Sequence, residues 1–185
     1  MDDTTFDGEL KHLGASLADA PIDSVHYRRE LAGLLQRRFA CSRVGLWRIF
    51  GGSGERVMRC LARHDAGTGY DPGGEAILES DYHDYFLRLV TDGVYVTEDT
   101  WNDPVLEPMC EPYLVPSNVR SLMDAAFTLN GQTFGVVCCE QIGTQRRWTP
   151  AEVRVLKRAA ALITLHAARH ERGEAAWWES QGDGI

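Results

Sequence analysis

Two apolar, β-prone runs joined by Asn130-Gly131 constrain this chain more than any other stretch: residues 121–143 read SLMDAAFTLNGQTFGVVCCEQIG. A two-residue type I′ turn needs φ > 0 at both positions, and Asn-Gly meets that need at the least strain, so the stretch is predicted to be a β-hairpin. With Leu129 facing Gln132, the antiparallel register sets Phe127, Ala125, Met123 and Ser121 opposite Phe134, Val136, Cys138 and Glu140 on one face. Asp124 and Ala126 then sit opposite Val137 and Gly135 on the other. One bulge would reverse part of that facing. Both faces are largely apolar, so the pair is expected at the centre of a sheet covered on both sides.

The rest of the chain supplies neighbours for that hairpin. Residues 43–50 (RVGLWRIF) and 56–64 (RVMRCLARH) read as two strands joined by the glycine turn Gly51-Gly52-Ser53-Gly54. That turn joins strand to strand, so it is a hairpin and not a phosphate cradle. Residues 65–74 are expected as loop, 76–78 as a minor edge strand, 82–90 as a helix and 94–97 as a short strand. Residues 100–104 read as a turn, and 105–114 as a short helix broken at Pro112.

Helices flank this sheet in sequence. Phe6, Leu10, Leu13 and Leu17 make a narrow stripe, Pro21 ends it, and a second helix is expected over Ser24–Phe39 with Arg28, Arg29, Arg37 and Arg38 on its solvated side. Thr149-Pro150-Ala151-Glu152 is a helix start: a cap, proline at the first helical position and a glutamate to close a capping box. That helix is expected to reach about Arg172 with two stripes. One runs through Val153, Leu156, Ala160, Ile163, Ala167 and His170; the other, through Val155, Ala159, Leu162 and His166, is open to a partner helix. Hairpins at both ends of the domain predict an α+β, antiparallel sheet with helices on its faces.

Composition excludes several function classes. The 185 residues carry a net charge of -8, with 44% apolar and 25% charged content, which suits a globular protein and argues against nucleic acid or an anionic membrane as partner. Five cysteines (Cys41, Cys60, Cys110, Cys138 and Cys139) are an odd number without a CxxC pair, so neither a disulfide framework nor zinc is expected, and reduced thiols fit a cytoplasmic location. His64, His83 and His166 show no metal-ligand spacing. No P-loop, nucleophile elbow, kinase signature or cyclase motif is present.

The succession SLMDA, NG, FGVV and RWTxxE, together with residues 43–50, 82–90, 97–104 (TEDTWNDP) and Tyr113-Leu114, resembles the GAF domain family of sensory modules, over about residues 25–172. The resemblance implies a GAF-like (PAS/profilin-like) antiparallel sheet of five to six strands, helices on one face and a ligand pocket on the other. It implies a domain at 23–172, an N-terminal dimerisation helix at 1–22 and a tail or linker at 173–185. It also implies a non-catalytic module that binds a small molecule of unidentified kind, forms a homodimer through its terminal helices and controls a kinase or cyclase output domain. Pocket candidates are Tyr82, Phe86, Trp101, Cys110, Tyr113, Arg120, Phe127, Phe134, Cys138 and Glu140, with Tyr85 a further aromatic of the same helix.

Within that resemblance, Met109–Leu114 resembles the place where bilin-binding members carry their chromophore cysteine. Here Glu111 follows Cys110 where those have histidine, and Glu140 stands where related photoreceptors place a ring-contacting histidine. Both departures weigh against a tetrapyrrole. A thiol-based redox role for Cys110 or Cys138 is the other alternative, and the NKFDE-type set of the cyclic-nucleotide-binding members is missing. Asp124 is expected to bond loop backbone, Glu140 to sit at the strand end near the pocket mouth, and Arg120 to meet Asp103 or an anionic ligand.

Overall fold

The computed structural model describes residues 1–19, 24–129 and 131–170, with side chains omitted at 17–19, 129 and 167–170. The expectations for Pro21, Asn130, Arg172 and the tail at 173–185, and for the side chains of Leu17, Ala167 and His170, lie outside the described residues. The elements in order are α1 (Asp3–Asp19), α2 (Ser24–Phe39), β1 (Arg43–Phe50), β2 (Val57–Asp65), β3 (Gly69–Asp71) and β4 (Ala76–Leu78). They continue with α3 (His83–Asp92), β5 (Val94–Thr97), a 3₁₀ turn (Thr100–Asn102), α4 (Glu107–Met109), a π-helical turn (Cys110–Leu114), β6 (Val119–Leu129), β7 (Gln132–Ile142) and α5 (Pro150–His170). The expected break at Pro112 is this π turn: proline has no N–H to continue the α pattern, and the bonding widens to Val115 N–H on the Cys110 carbonyl at 2.9 Å.

The sheet is antiparallel in the order β3-β2-β1-β7-β6-β5, and β4 also pairs with β2. It has seven strands rather than the expected five to six. The excess is β3, a three-residue strand inside a glycine-rich segment whose spacing reads as loop; pairing with β2, not its own propensity, makes it a strand.

The hairpin starts in the expected register, Leu129 with Gln132 and Thr128 with Thr133. Then it slips. Phe127 pairs with Gly135, leaving Phe134 as an extra residue on β7, and the register continues as Asp124 with Cys138 and Leu122 with Glu140. A bulge moves every later side chain to the opposite face. Gly135 makes it fit, because a Cβ there would collide with the Trp47 carbonyl oxygen and sit 2.5 Å from Cζ of Phe127.

The two faces therefore have different owners. Met123, Ala125, Phe127, Phe134, Val137 and Cys139 join α1, α2 and α5 in one apolar core. Leu122, Val136 and Cys138 join Trp47, Met58, Tyr85, Phe86, Leu89, Met109 and Leu114 in a second core under α3 and the π turn. Helices thus lie on both faces, not one.

The capping box at α5 forms as expected. Thr149 N–H donates to Glu152 Oε2 at 2.8 Å, and Glu152 N–H donates to Thr149 Oγ1 at 3.2 Å. Both α5 stripes are spent inside the chain: Val155, Leu156, Ala159, Ala160, Ile163 and His166 are all buried. The helix that meets the second stripe is the chain's own α1, whose Phe6 and Leu10 are fully buried. Gly14 permits the approach, since a Cβ there would overlap the imidazole of His166, which is held by the Tyr27 hydroxyl at 2.9 Å from Nδ1. The arginines of α2 are not all solvated. Arg28 is buried, and Arg38 pairs with Asp3 while lying over the rings of Phe6 and Phe39.

Candidate functional site

The second core does not close. Between the sheet and α3 it leaves a cavity of about 230 Å³. Its floor is Trp47 from β1, Met58 and Arg63 from β2, Leu122 and Asp124 from β6, and Cys138 and Glu140 from β7. Glu75, Ala76 and Ile77 form one wall, while Tyr82, Tyr85, Met109, Pro112, Tyr113 and Leu114 form the roof. Mostly apolar walls with a few placed polar groups are the general character of a small-molecule site, and the volume lies under the roughly 300–1,000 Å³ typical of drug-sized ligands.

Two carboxyl groups share this floor, because the bulge turns Asp124, Cys138 and Glu140 to one side. Asp124 is fully buried and accepts the Tyr85 hydroxyl on Oδ2 at 2.6 Å, not loop backbone as expected. Burial pushes its carboxyl up to about 7, against the opposing effects of Cys138 and Tyr85. Glu140, expected near the pocket mouth, is 4% exposed and a buried member of the floor. Burial raises it too, while the Tyr113 hydroxyl at 2.6 Å and the Arg43 guanidinium at 3.3 Å favour its ionised form. Arg43 also pairs with Asp65 at 3.3 Å, and Arg63 is held by Asp71 and Glu75 at 2.8 Å each.

The candidate residues divide cleanly. Tyr82, Tyr113, Cys138 and Glu140 line the cavity, as does Tyr85. Phe86 is buried in the roof core behind the lining. Phe127 and Phe134 are on the opposite face, among α1, α2 and α5, because the bulge lies between them and the pocket residues. Trp101 is 37% exposed and stacks under Arg120, whose guanidinium carbon lies 4.0 Å from the ring centroid and whose ion pair is with Asp99 at 3.5 Å, not Asp103. Cys110 is outside the lining, its Sγ 3.7 Å from the Thr100 carbonyl oxygen and 3.9 Å from that of Trp101.

Trp47, Met58, Arg63, Leu122 and Asp124 were not among the candidates. Trp47 and Leu122 read as ordinary strand residues in sequence, and only the strand order brings them together. Asp124 did carry a signal, an acidic residue inside an apolar strand, but the unbulged register sends it to the other face.

The thiols are poor nucleophiles where they stand. Burial pushes Cys138 well above the ordinary range and Cys60 up to about 12, and burial with nearby Glu107 and Asp103 raises Cys110. Cys41 is lowered, chiefly by a hydrogen bond with Cys139, but it is 2% exposed. Among the described residues no group of three or more His, Cys, Asp or Glu is placed to hold a metal ion. No described helix is long and apolar enough to cross a membrane.

The sequence profile of the GAF domain matches residues 28–166. The chain belongs to the GAF domain family. No curated protein sequence matches this GAF domain. Among solved structures, the blue-light-absorbing form of the Thermosynechococcus elongatus PixJ GAF domain is similar, with a TM-score of 0.66 at 17% identity over 80% of this chain and 88% of that one. The far-red-absorbing dark state of JSC1_58120g3 with bound biliverdin IXa gives 0.68 at 16% identity, over 88% and 98%. Bacteriophytochrome RpBphP3 from R. palustris gives 0.69 at 13% identity, over 91% of this chain and 38% of that one. At such identities the likeness is one of fold. Cys110, where the resemblance places a chromophore cysteine, lies outside the lining of the cavity of about 230 Å³, with its sulfur against the Thr100 and Trp101 carbonyl oxygens.

Proposed function

We propose that this GAF domain is a non-catalytic cytoplasmic sensor that binds a compact small molecule in the cavity under α3 and passes the event to α1 and α5 on the other side of the sheet. The observation that carries the reading is the cavity itself, floored by buried carboxyl groups on β6 and β7, strands that also form the floor of the α5 core. A ligand there acts on both layers through one pair of strands. It biases the helices only if it binds one helix arrangement more tightly than the other. The helices would act within a homodimer and on a downstream kinase or cyclase domain, with 1–22 as the dimer helix and 173–185 as the linker. Raised thiols at Cys110 and Cys138 speak against thiol chemistry as the function.

Native mass spectrometry of the protein purified from its own host tests the reading. The expected result is a retained small molecule that is absent from Ile77→Trp, a variant that enlarges the wall residue packed beside Met58 on the cavity side. Equal retention by both forms, or no molecule in either, would count against a sensory cavity.

A further inference from the structure

The two oxygens of Asp124 are not treated alike. Oδ2 accepts the Tyr85 hydroxyl at 2.6 Å, whereas Oδ1 is buried with no hydrogen-bond partner. Cys138, its partner across the β6–β7 ladder, hydrogen-bonds the Asp124 carboxyl and so favours its ionised form. A thiol is a weak donor, however, and the same Sγ also lies 3.9 Å from Glu140 Oε1, so no oxygen or nitrogen donor reaches Asp124 Oδ1. Buried polar atoms in folded proteins almost always find a partner, so an orphaned carboxylate oxygen at the floor of a cavity calls for a donor from outside the chain.

The hydroxyl and guanidinium donors that reach the two carboxyl groups are already committed. The Tyr85 and Tyr113 hydroxyls serve Asp124 and Glu140. Arg63 is held by Asp71 and Glu75, and Arg43 by Asp65 and Glu140. Among the described lining residues the carboxyl groups of Glu75, Asp124 and Glu140 face a single arginine, Arg63. The aromatic walls, Trp47 and Tyr82 among them, offer ring faces that attract cations. An anion would meet carboxylates and engaged arginines, whereas a cation would meet an unfilled acceptor and aromatic walls.

We propose that the cavity takes a compact organic cation, an ammonium or amidinium group on a small apolar or aromatic body, with an N–H of the cation donated to Asp124 Oδ1. The inference rests on the sensory reading of the same cavity. The groups facing Asp124 are Cys138 and Glu140 from β7, Tyr85 from α3 and Tyr95 from β5, with Tyr113, Arg43 and Arg63 acting through Glu140. Burial raises Tyr85, Tyr95 and Cys138, so these stay protonated near neutrality. Glu140 is raised as well, with Tyr113 and Arg43 working the other way. Asp124 therefore governs binding near neutrality, going from about a tenth ionised at pH 6 to about nine-tenths at pH 8 for a carboxyl titrating at about 7.

Calorimetric titration of the full chain with phenethylamine, 2-phenylethanol and phenylacetate tests this, since the three share a body and differ in charge. The amine is expected to bind at least tenfold more tightly than the other two, and about tenfold more tightly at pH 8 than at pH 6. Asp124→Asn keeps the size of the side chain and an acceptor for Tyr85. It is expected to weaken amine binding at least tenfold at pH 8 and to flatten its pH profile, with an unchanged near-ultraviolet circular dichroism spectrum. Equal binding of the alcohol or the acid, undiminished amine binding by Asp124→Asn, or no amine binding overturns the cation. If the alcohol or acid binds and Ile77→Trp abolishes it, the sensory cavity stands without the cation; if Ile77→Trp leaves that binding intact, both fall.

Discussion

Burial turns Asp124 into a group that titrates at about 7 rather than near 3.8. Each pKa unit is 1.36 kcal/mol, so without ligand the shift costs on the order of 4 kcal/mol once the group must ionise. The sign is that of a raised acid. The folded state holds the proton more tightly than the unfolded chain, so the cost is absent below about pH 4, grows as pH rises towards 7 and persists above it. In Asp124→Asn that cost disappears. The melting temperature of the variant relative to the wild type should therefore climb by several degrees between pH 5 and pH 8; a constant offset across that range would contradict the assignment. Glu140, two residues on from Cys138, shows what Asp124 lacks: a cation, Arg43, and a hydroxyl, Tyr113, already in place. Which acidic residues matter was partly legible, because carboxyls inside apolar strands stand out. Their shared face was not, because the Phe134 bulge reverses the alternation on which any facing argument rests.

Between elements, the closest fit is α1 on α5. Gly14 lies against the His166 ring, and Tyr27 of α2 fixes that ring from the other side. Gly14→Ala would gain about 1 kcal/mol of helix propensity on an exposed helix. Here the added methyl must displace a buried, hydrogen-bonded imidazole, and overpacking of that kind costs about 1–3 kcal/mol. The net expectation is a loss of about 1 kcal/mol, seen as a lower melting temperature with faster amide exchange confined to α1. An unchanged or raised melting temperature would show that α1 adjusts without cost. The helices themselves were legible from spacing and caps; α2 occupies Ser24–Phe39 as expected, and the Thr149–Glu152 box forms as read. Their partner was not. A stripe states that a helix must bury one face, and nothing in it distinguishes a second copy of the chain from a neighbour in the same chain.

At the scale of the whole molecule, one sheet separates two apolar cores, one sealed by α1, α2 and α5 and the other holding the cavity. Because α1 already covers the α5 stripes, the proposed homodimer must use what remains outside. On α5 that is the row Lys157, Ala161 and Leu165, with Leu165 52% exposed. Leu165→Asp places a charge in the middle of that row. Sedimentation analysis should show the wild type as a dimer and the variant as a monomer, each with an intact fold; a dimer in both would move the interface elsewhere.

The amino-acid order alone located the main helices and every strand but β3, because caps, glycine turns and apolar spacing are local signals acting over a few residues. It also carried the family resemblance, and Tyr82, Tyr113, Cys138 and Glu140 as pocket residues. Three matters were decided only in three dimensions. The bulge at Phe134 depends on how closely Gly135 packs on Trp47 and Phe127, neighbours whose positions the hairpin's own sequence does not state. β3 is a strand only because β2 offers it an edge. The cavity exists because α3 and the π turn do not fill the space above Asp124 and Glu140, and unfilled space is a property of packed volumes that no periodicity encodes.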